Sequence, residues 1–153
     1  MSIKITEELK QYWKSFIDKN KNLEHLRDYK FEPWSFGNTK QMADELGKLV
    51  LENKKTATCS LLRAYQGHED EIPRVGVYSV LCDGNEKPIC IVFLTDTWIC
   101  KYSEVDERHA YEEGEGDRSL EHWRKAHQDF FSQYEGFHEE DELVCERFKV
   151  VYK

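Results

Sequence analysis

Apolar residues recur along the chain with two periods, and each period predicts its own kind of element. From Thr6, the residues Leu9, Trp13, Phe16 and Ile17 fall at i, i+4, i+7 and i+8, one face of an amphipathic helix ending near Lys19. Asn38 followed three residues later by Gln41 resembles a capping box, and Met42, Leu46, Leu49 and Val50 mark a second helical face over residues 39–52. Between them, residues 31–37 read as extended and aromatic, because Pro33 disfavours helix in the residue before it. After Lys55 the period becomes two, with Thr56, Thr58, Ser60 and Leu62 alternating against Ala57, Cys59 and Leu61, which predicts a strand. Residues 77–82 and 89–98 predict two strands reversed by the polar stretch 83–88. Residues 103–113 suggest a short helix. Asp117 then stands where it would cap a third helix carrying Leu120, Trp123, His127, Phe130 and Phe131 on one broad face. Residues 143–152 close the chain as a strand.

This order does not alternate strand and helix, so an α+β domain around a mostly antiparallel sheet or small barrel is expected. The 153 residues suit one ordinary domain, and 39% hydrophobic with 34% charged residues supply a core inside a solvated shell. No apolar run approaches the ~20 residues of a membrane helix, and the amino terminus lacks a basic-then-apolar signal pattern. The five cysteines, Cys59, Cys82, Cys90, Cys100 and Cys145, are odd in number and include no C-x-x-C pair. They read as reduced thiols in strand-like surroundings, from which a cytoplasmic location is expected.

The net charge of −8 is unevenly placed. Residues 1–36 carry 7 basic and 6 acidic groups, residues 37–103 carry 8 and 9, and residues 104–153 carry 7 and 15. A duplex is gripped mainly by Lys and Arg neutralising phosphates, so duplex DNA is not an expected partner. A nucleoside or a few nucleotides of single strand escapes that objection.

Four groups of residues carry candidate chemistry. Lys55 and Thr58 stand at a helix-to-strand junction, where a desolvated lysine beside a threonine hydroxyl can activate it; the plain alternative is a solvated lysine before a strand former. Glu113, Glu115 and Asp117, at alternate positions among glycines, are spaced to offer oxygens to a divalent ion, or equally to start a solvated helix; the EF-hand spacing is absent. His122 and His127 are five apart and do not form a zinc pair, and His127 reads as a hydrogen-bonded core histidine. Trp34, Phe36 and Trp98 are able to stack bases but equally suit a core.

Taken in order, residues 34–37 (Trp-Ser-Phe-Gly), 53–58 (Asn-Lys-Lys-Thr-Ala-Thr), 72–76 (Ile-Pro-Arg-Val-Gly), 112–117 (Glu-Glu-Gly-Glu-Gly-Asp) and 123–127 (Trp-Arg-Lys-Ala-His) resemble the ASCH family, closest to its small bacterial single-domain members. The resemblance runs from about Trp34 to Tyr152. It implies a PUA-like, mostly antiparallel β-barrel with N-terminal and flanking helices, in which residues 1–33 form a helical extension packed on an ASCH domain of residues 34–153, one structural domain overall. It further implies a cleft for RNA or a nucleoside. The family's G-x-K-x-x-T segment falls on Lys55 and Thr58, with Asn53 replacing the glycine, tolerable because Asn also enters the left-handed region. Relatives resembling amidohydrolases of acylated cytidine combine such a Lys and Thr with a Glu, here Glu113. In that scheme Lys55 takes the proton of Thr58, and Glu113 protonates the leaving amine. Trp34, Phe36, Asn53, Arg74 and Trp98 are the residues expected to contact the ligand. No cofactor is expected for amide hydrolysis. Other relatives are described as metal-dependent ribonucleases, and for that activity Glu113, Glu115 and Asp117 would hold Mg²⁺ or Mn²⁺. A non-catalytic module binding RNA, or a protein through the acidic face of the third helix, is the remaining expectation.

Overall fold

The structure, a computed structural model, describes residues 3–153. Its chain divides into two compact units, one of residues 1–51, 78–93 and 150–153, the other of residues 52–77 and 94–149. Among the described residues, five strands share one sheet in the order β1 (Glu32–Trp34), β3 (Tyr78–Cys82), β4 (Pro88–Lys101), β5 (Glu142–Tyr152) and β2 (Ala57–Leu61). The short β1 runs parallel to its neighbour β3, with Pro33 opposite Val80. Pro33 lacks an N–H, which suits it to the sheet edge that β1 occupies.

In the first unit, α1 (Glu7–Asp18) begins at Thr6, whose hydroxyl accepts from Leu9 N at 3.2 Å. Its predicted apolar face, Leu9, Trp13, Phe16 and Ile17, is fully buried with Phe31, Val80, Cys82 and Ile91. Trp13 keeps its indole N–H satisfied by donating to Leu26 O at 3.0 Å. Helix α2 (Lys40–Leu51) starts one residue later than expected, and Thr39 Oγ1 accepts from Met42 N.

The second unit holds α3 (Glu107–Glu113), α4 (Leu120–Phe131) and β2, with a core of Leu61, Tyr102, Val105, Ala110, Trp123, Phe131, Leu143 and Cys145. Strand β2 pairs antiparallel with β5 in the register Ala57 to Arg147, Thr58 to Glu146 and Cys59 to Cys145. Odd positions of β2 therefore face one side of the sheet and Thr58 and Ser60 the other. Helix α4 is capped by Ser119, not by Asp117, because Asp117 spends its carboxylate on Ser119 N and places the serine hydroxyl under His122 N. All five cysteines are free thiols. No helix among the described residues is long and apolar enough to cross a membrane.

Candidate active site

Helix α3 ends against the chain just ahead of β2, and glycine makes that contact possible. Gly114 closes the helix in the left-handed conformation with φ at 75°, and a Cβ there would sit 2.2 Å from Lys54 O and 2.9 Å from Lys55 N. Thr56 N donates to Glu112 O at 2.7 Å, and the Arg118 guanidinium donates to Lys54 O at 3.1 Å. Asn53, exposed, turns the chain into this segment with φ at 60°. The two backbones are thereby clamped, and the side chains of Lys55 and Glu113 share one interior space.

Lys55 Nζ donates to Glu113 Oε1 at 3.2 Å, to Glu113 O at 3.4 Å and to Glu115 Oε2 at 3.1 Å. Lys55 is 2% exposed and Glu113 1%. The other carboxylate oxygen, Oε2, accepts from His109 Nε2 and Trp123 Nε1, both at 2.7 Å. His109 precedes Glu113 by one helical turn on α3, and Trp123 precedes His127 by one turn on α4, so each helix presents a pair on one face. His127 stacks on Trp123 with centroids 4.2 Å apart. Its Nδ1 lies 2.9 Å from Trp123 O and its Nε2 3.4 Å from Glu113 Oε1. Both neighbours are acceptors, which favours a proton on each ring nitrogen. The Cys59 thiol lies within 4.8 Å of the same carboxylate.

Burial alone would push both members of the central pair toward neutrality, and their partners reverse this. Burial depresses the Lys55 ammonium, but the charges of Glu113 and Glu115 outweigh it and the net direction is up. Burial likewise raises Glu113, but Lys55, His127 and the histidine hydrogen bonds hold it well below the ordinary carboxylate range. His127 follows the same logic: burial lowers it, Glu113 raises it, and the net is up. The partners thus favour the charged forms of Lys55, Glu113 and His127.

Glu113, Glu115 and His127 offer ligand atoms within 4.8 Å of one another, as do Cys59, His109 and Glu113, while Asp117 belongs to neither group. The donor set does not suit a divalent ion, because the Lys55 ammonium already bridges Glu113 to Glu115 and would repel one. Asp117 is exposed and turned to Ser119.

Thr58 stands on the other face of β2 and has no hydrogen bond to Lys55 or Glu113, so the structure joins two of the three expected catalytic groups directly. Trp98 is half-buried, with the His109 ring at a right angle to it and centroids 5.5 Å apart, and the Arg147 guanidinium 4.4 Å from its ring centroid. Arg147 in turn donates to Glu112 at 2.6 Å. Arg74 is exposed in the loop before β3. Trp34 and Phe36 lie in the first unit, edge to face at 4.5 Å, with Phe36 buried. Sequence reading did not anticipate His109, Trp123 or Cys59 at the site. For His109 and Trp123 the signal was present, as the i, i+4 spacings to Glu113 and His127.

An α+β fold on a mixed sheet, with a buried charged network between helix and strand, is that of a PUA-like domain. The ASCH domain family matches residues 32–152, and the chain belongs to that family. The structure is similar to that of an ASCH domain from Lactobacillus crispatus JV V101, at 32% identity and a TM-score of 0.85 over 100% of both chains. It is also similar to a protein from Enterococcus faecalis V583, at 30% identity and a TM-score of 0.83, covering 97% of this chain and 90% of that one. No curated protein matches the chain. The PUA-like α+β fold implied by the sequence resemblance is the fold found.

Proposed function

We propose that this ASCH domain binds a nucleoside or a short single-stranded RNA and hydrolyses an amide on it, such as that of an acylated cytidine. The observation carrying this reading is the Lys55–Glu113 pair, 3.2 Å apart and sealed from water. A buried ion pair adds little stability over an apolar pair of the same volume, and strongly perturbed ionisable groups concentrate at functional sites, which supports a chemical role for this one. The resting charges assign roles different from a lysine base and a glutamic acid donor. Lys55, gripped by three acceptors, acts as a fixed positive charge whose field reaches the Thr58 oxygen across the strand, without contact. Glu113 holds Lys55 and His127 in their charged forms. Thr58 is the nucleophile.

Release of cytidine from an N4-acylated cytidine, followed by chromatography, tests the reading. Lys55→Ala and Glu113→Gln are expected to abolish turnover, and full activity in either removes the scheme. Turnover that disappears with a chelator and returns with Mg²⁺ or Mn²⁺ would point instead to the metal-dependent reading. Retention of oligonucleotides with no turnover of any acylated nucleoside would leave a binding module.

A further inference from the structure

With Lys55 held as an ammonium, the Thr58 hydroxyl needs another proton acceptor, and the sheet supplies one. We infer that Glu146, directly across the β2–β5 ladder from Thr58, is the general base of this site, an assignment that rests on the hydrolase reading above. Opposed residues in an antiparallel pair project to the same face with Cβ atoms about 4.5–5.5 Å apart. On that face Ser60 is also present, its hydroxyl 2.9 Å from the Tyr65 hydroxyl, so the strip carries three hydroxyls and one carboxyl. Glu146 is the carboxyl on it without a hydrogen bond or ion pair among the described residues. The comparable half-buried acids of the second unit are all engaged: Glu112 by Arg108 and Arg147, Glu115 by Lys55, Asp141 by Arg63. A half-buried acid left unpaired costs stability, and such groups concentrate where they are used.

Burial and the charges on both sides of β2 explain the proton affinity of Glu146. Burial raises its pKa to about 7, the Glu113 carboxylate on α3 adds to the rise, and the Lys55 ammonium ahead of β2 opposes it. Tyr65, in the turn after β2, feels the Glu146 charge in return, and Cys145 is its neighbour on β5. A base poised near the working pH is the efficient choice for proton transfer.

The Glu146 carboxylate takes the hydroxyl proton as Thr58 Oγ bonds to the acyl carbon. The C–N bond then breaks, with Glu146 delivering that proton to the leaving nitrogen. Water attacks the resulting threonine ester, gives its proton to Glu146, and the proton returns to the Thr58 oxygen as the acid departs.

The experiment is kcat/KM against pH for an N4-acylated cytidine. The wild type is expected to rise with pH along an acid limb centred near 7. Glu146→Gln is expected to lose about 10²–10⁴-fold and the limb with it, while Glu146→Asp keeps a displaced limb. A Glu146→Gln enzyme with wild-type rate and an unchanged limb overturns the assignment while the hydrolase reading stands. A wild type that turns over no acylated nucleoside overturns both. Titration of the Glu146 carboxyl carbon by ¹³C NMR needs neither substrate nor variant, and a midpoint below pH 5 also overturns the assignment.

Discussion

Glu113 receives hydrogen bonds from a lysine, a tryptophan and a histidine, with a second histidine 3.4 Å away, and is 1% exposed. Such a group is tolerated only because its acceptor capacity is filled, and the same saturation makes it intolerant of change. Lys55→Met leaves the carboxylate buried with its strongest counter-charge gone, at a cost of about 3–5 kcal/mol in urea unfolding at pH 7. Lys55→Met with Glu113→Leu is expected to recover most of that loss, since no charge is then left unpaired. The dependence on pH has a definite sign. Glu113 titrates lower in the folded than in the unfolded state, so its contribution is present above the unfolded value of ~4.3 and fades as pH falls through the folded one. The gap between wild type and Lys55→Met should therefore narrow as pH falls, because without Lys55 burial lets Glu113 take up a proton more readily in the variant. Glu146 behaves in the opposite way. Its folded pKa lies above the unfolded value, so wild-type stability declines as pH rises from ~4.3 to about 7, and Glu146→Gln should be the more stable protein at pH 8 but not at pH 4.

At the scale of elements, the junction of α3 with the segment before β2 decides where the charges meet. Gly114→Ala imposes a left-handed backbone on a residue with a Cβ and drives that Cβ into Lys54 O. A loss of about 2–4 kcal/mol is expected, a fall in Tm of roughly 5–15 °C by calorimetry. Gly67→Ala is the control, because its φ is also positive but nothing lies within 4 Å, so it should lose only the backbone part. Equal losses in the two variants would mean that the clamp contributes nothing. What the sequence made legible follows the range of the interactions. The α1 stripe, the β3–β4 hairpin and the α4 face are local patterns and stand in the structure within a few residues. The i, i+4 pairs His109–Glu113 and Trp123–His127 were equally readable. Strand β1 was not, since an extended segment becomes a strand only through its partner β3. Nor was the opposition of Thr58 and Glu146, which is a matter of register between strands far apart in sequence, where a slip of one residue would send Glu146 to the other face.

Across the whole molecule, the charge balance sets what a ligand must be. Residues 104–153 carry the entire net charge of −8, and the same stretch supplies Glu113, Glu115, Glu146 and the helix that bears His127. A polyanion approaching these residues is repelled, and each phosphate it would need neutralised contributes a log–log salt slope of about −0.7 in a single strand or −0.9 in a duplex. A nucleoside carries no such charge, and its binding should be indifferent to salt. The expected outcome of thermal-shift titrations is a nucleoside-induced rise in Tm that is the same at 50 and 200 mM NaCl and grows as the ligand exceeds its dissociation constant. A short single-stranded RNA should bind with a slope no steeper than about −2, corresponding to three phosphates or fewer. A 20-base-pair duplex should give no shift at 200 mM. A slope several-fold steeper, or a duplex bound as well as a single strand, would mean that a cationic surface able to overcome −8 has been assembled from the 22 basic residues, and the preference for small ligands would fall with it.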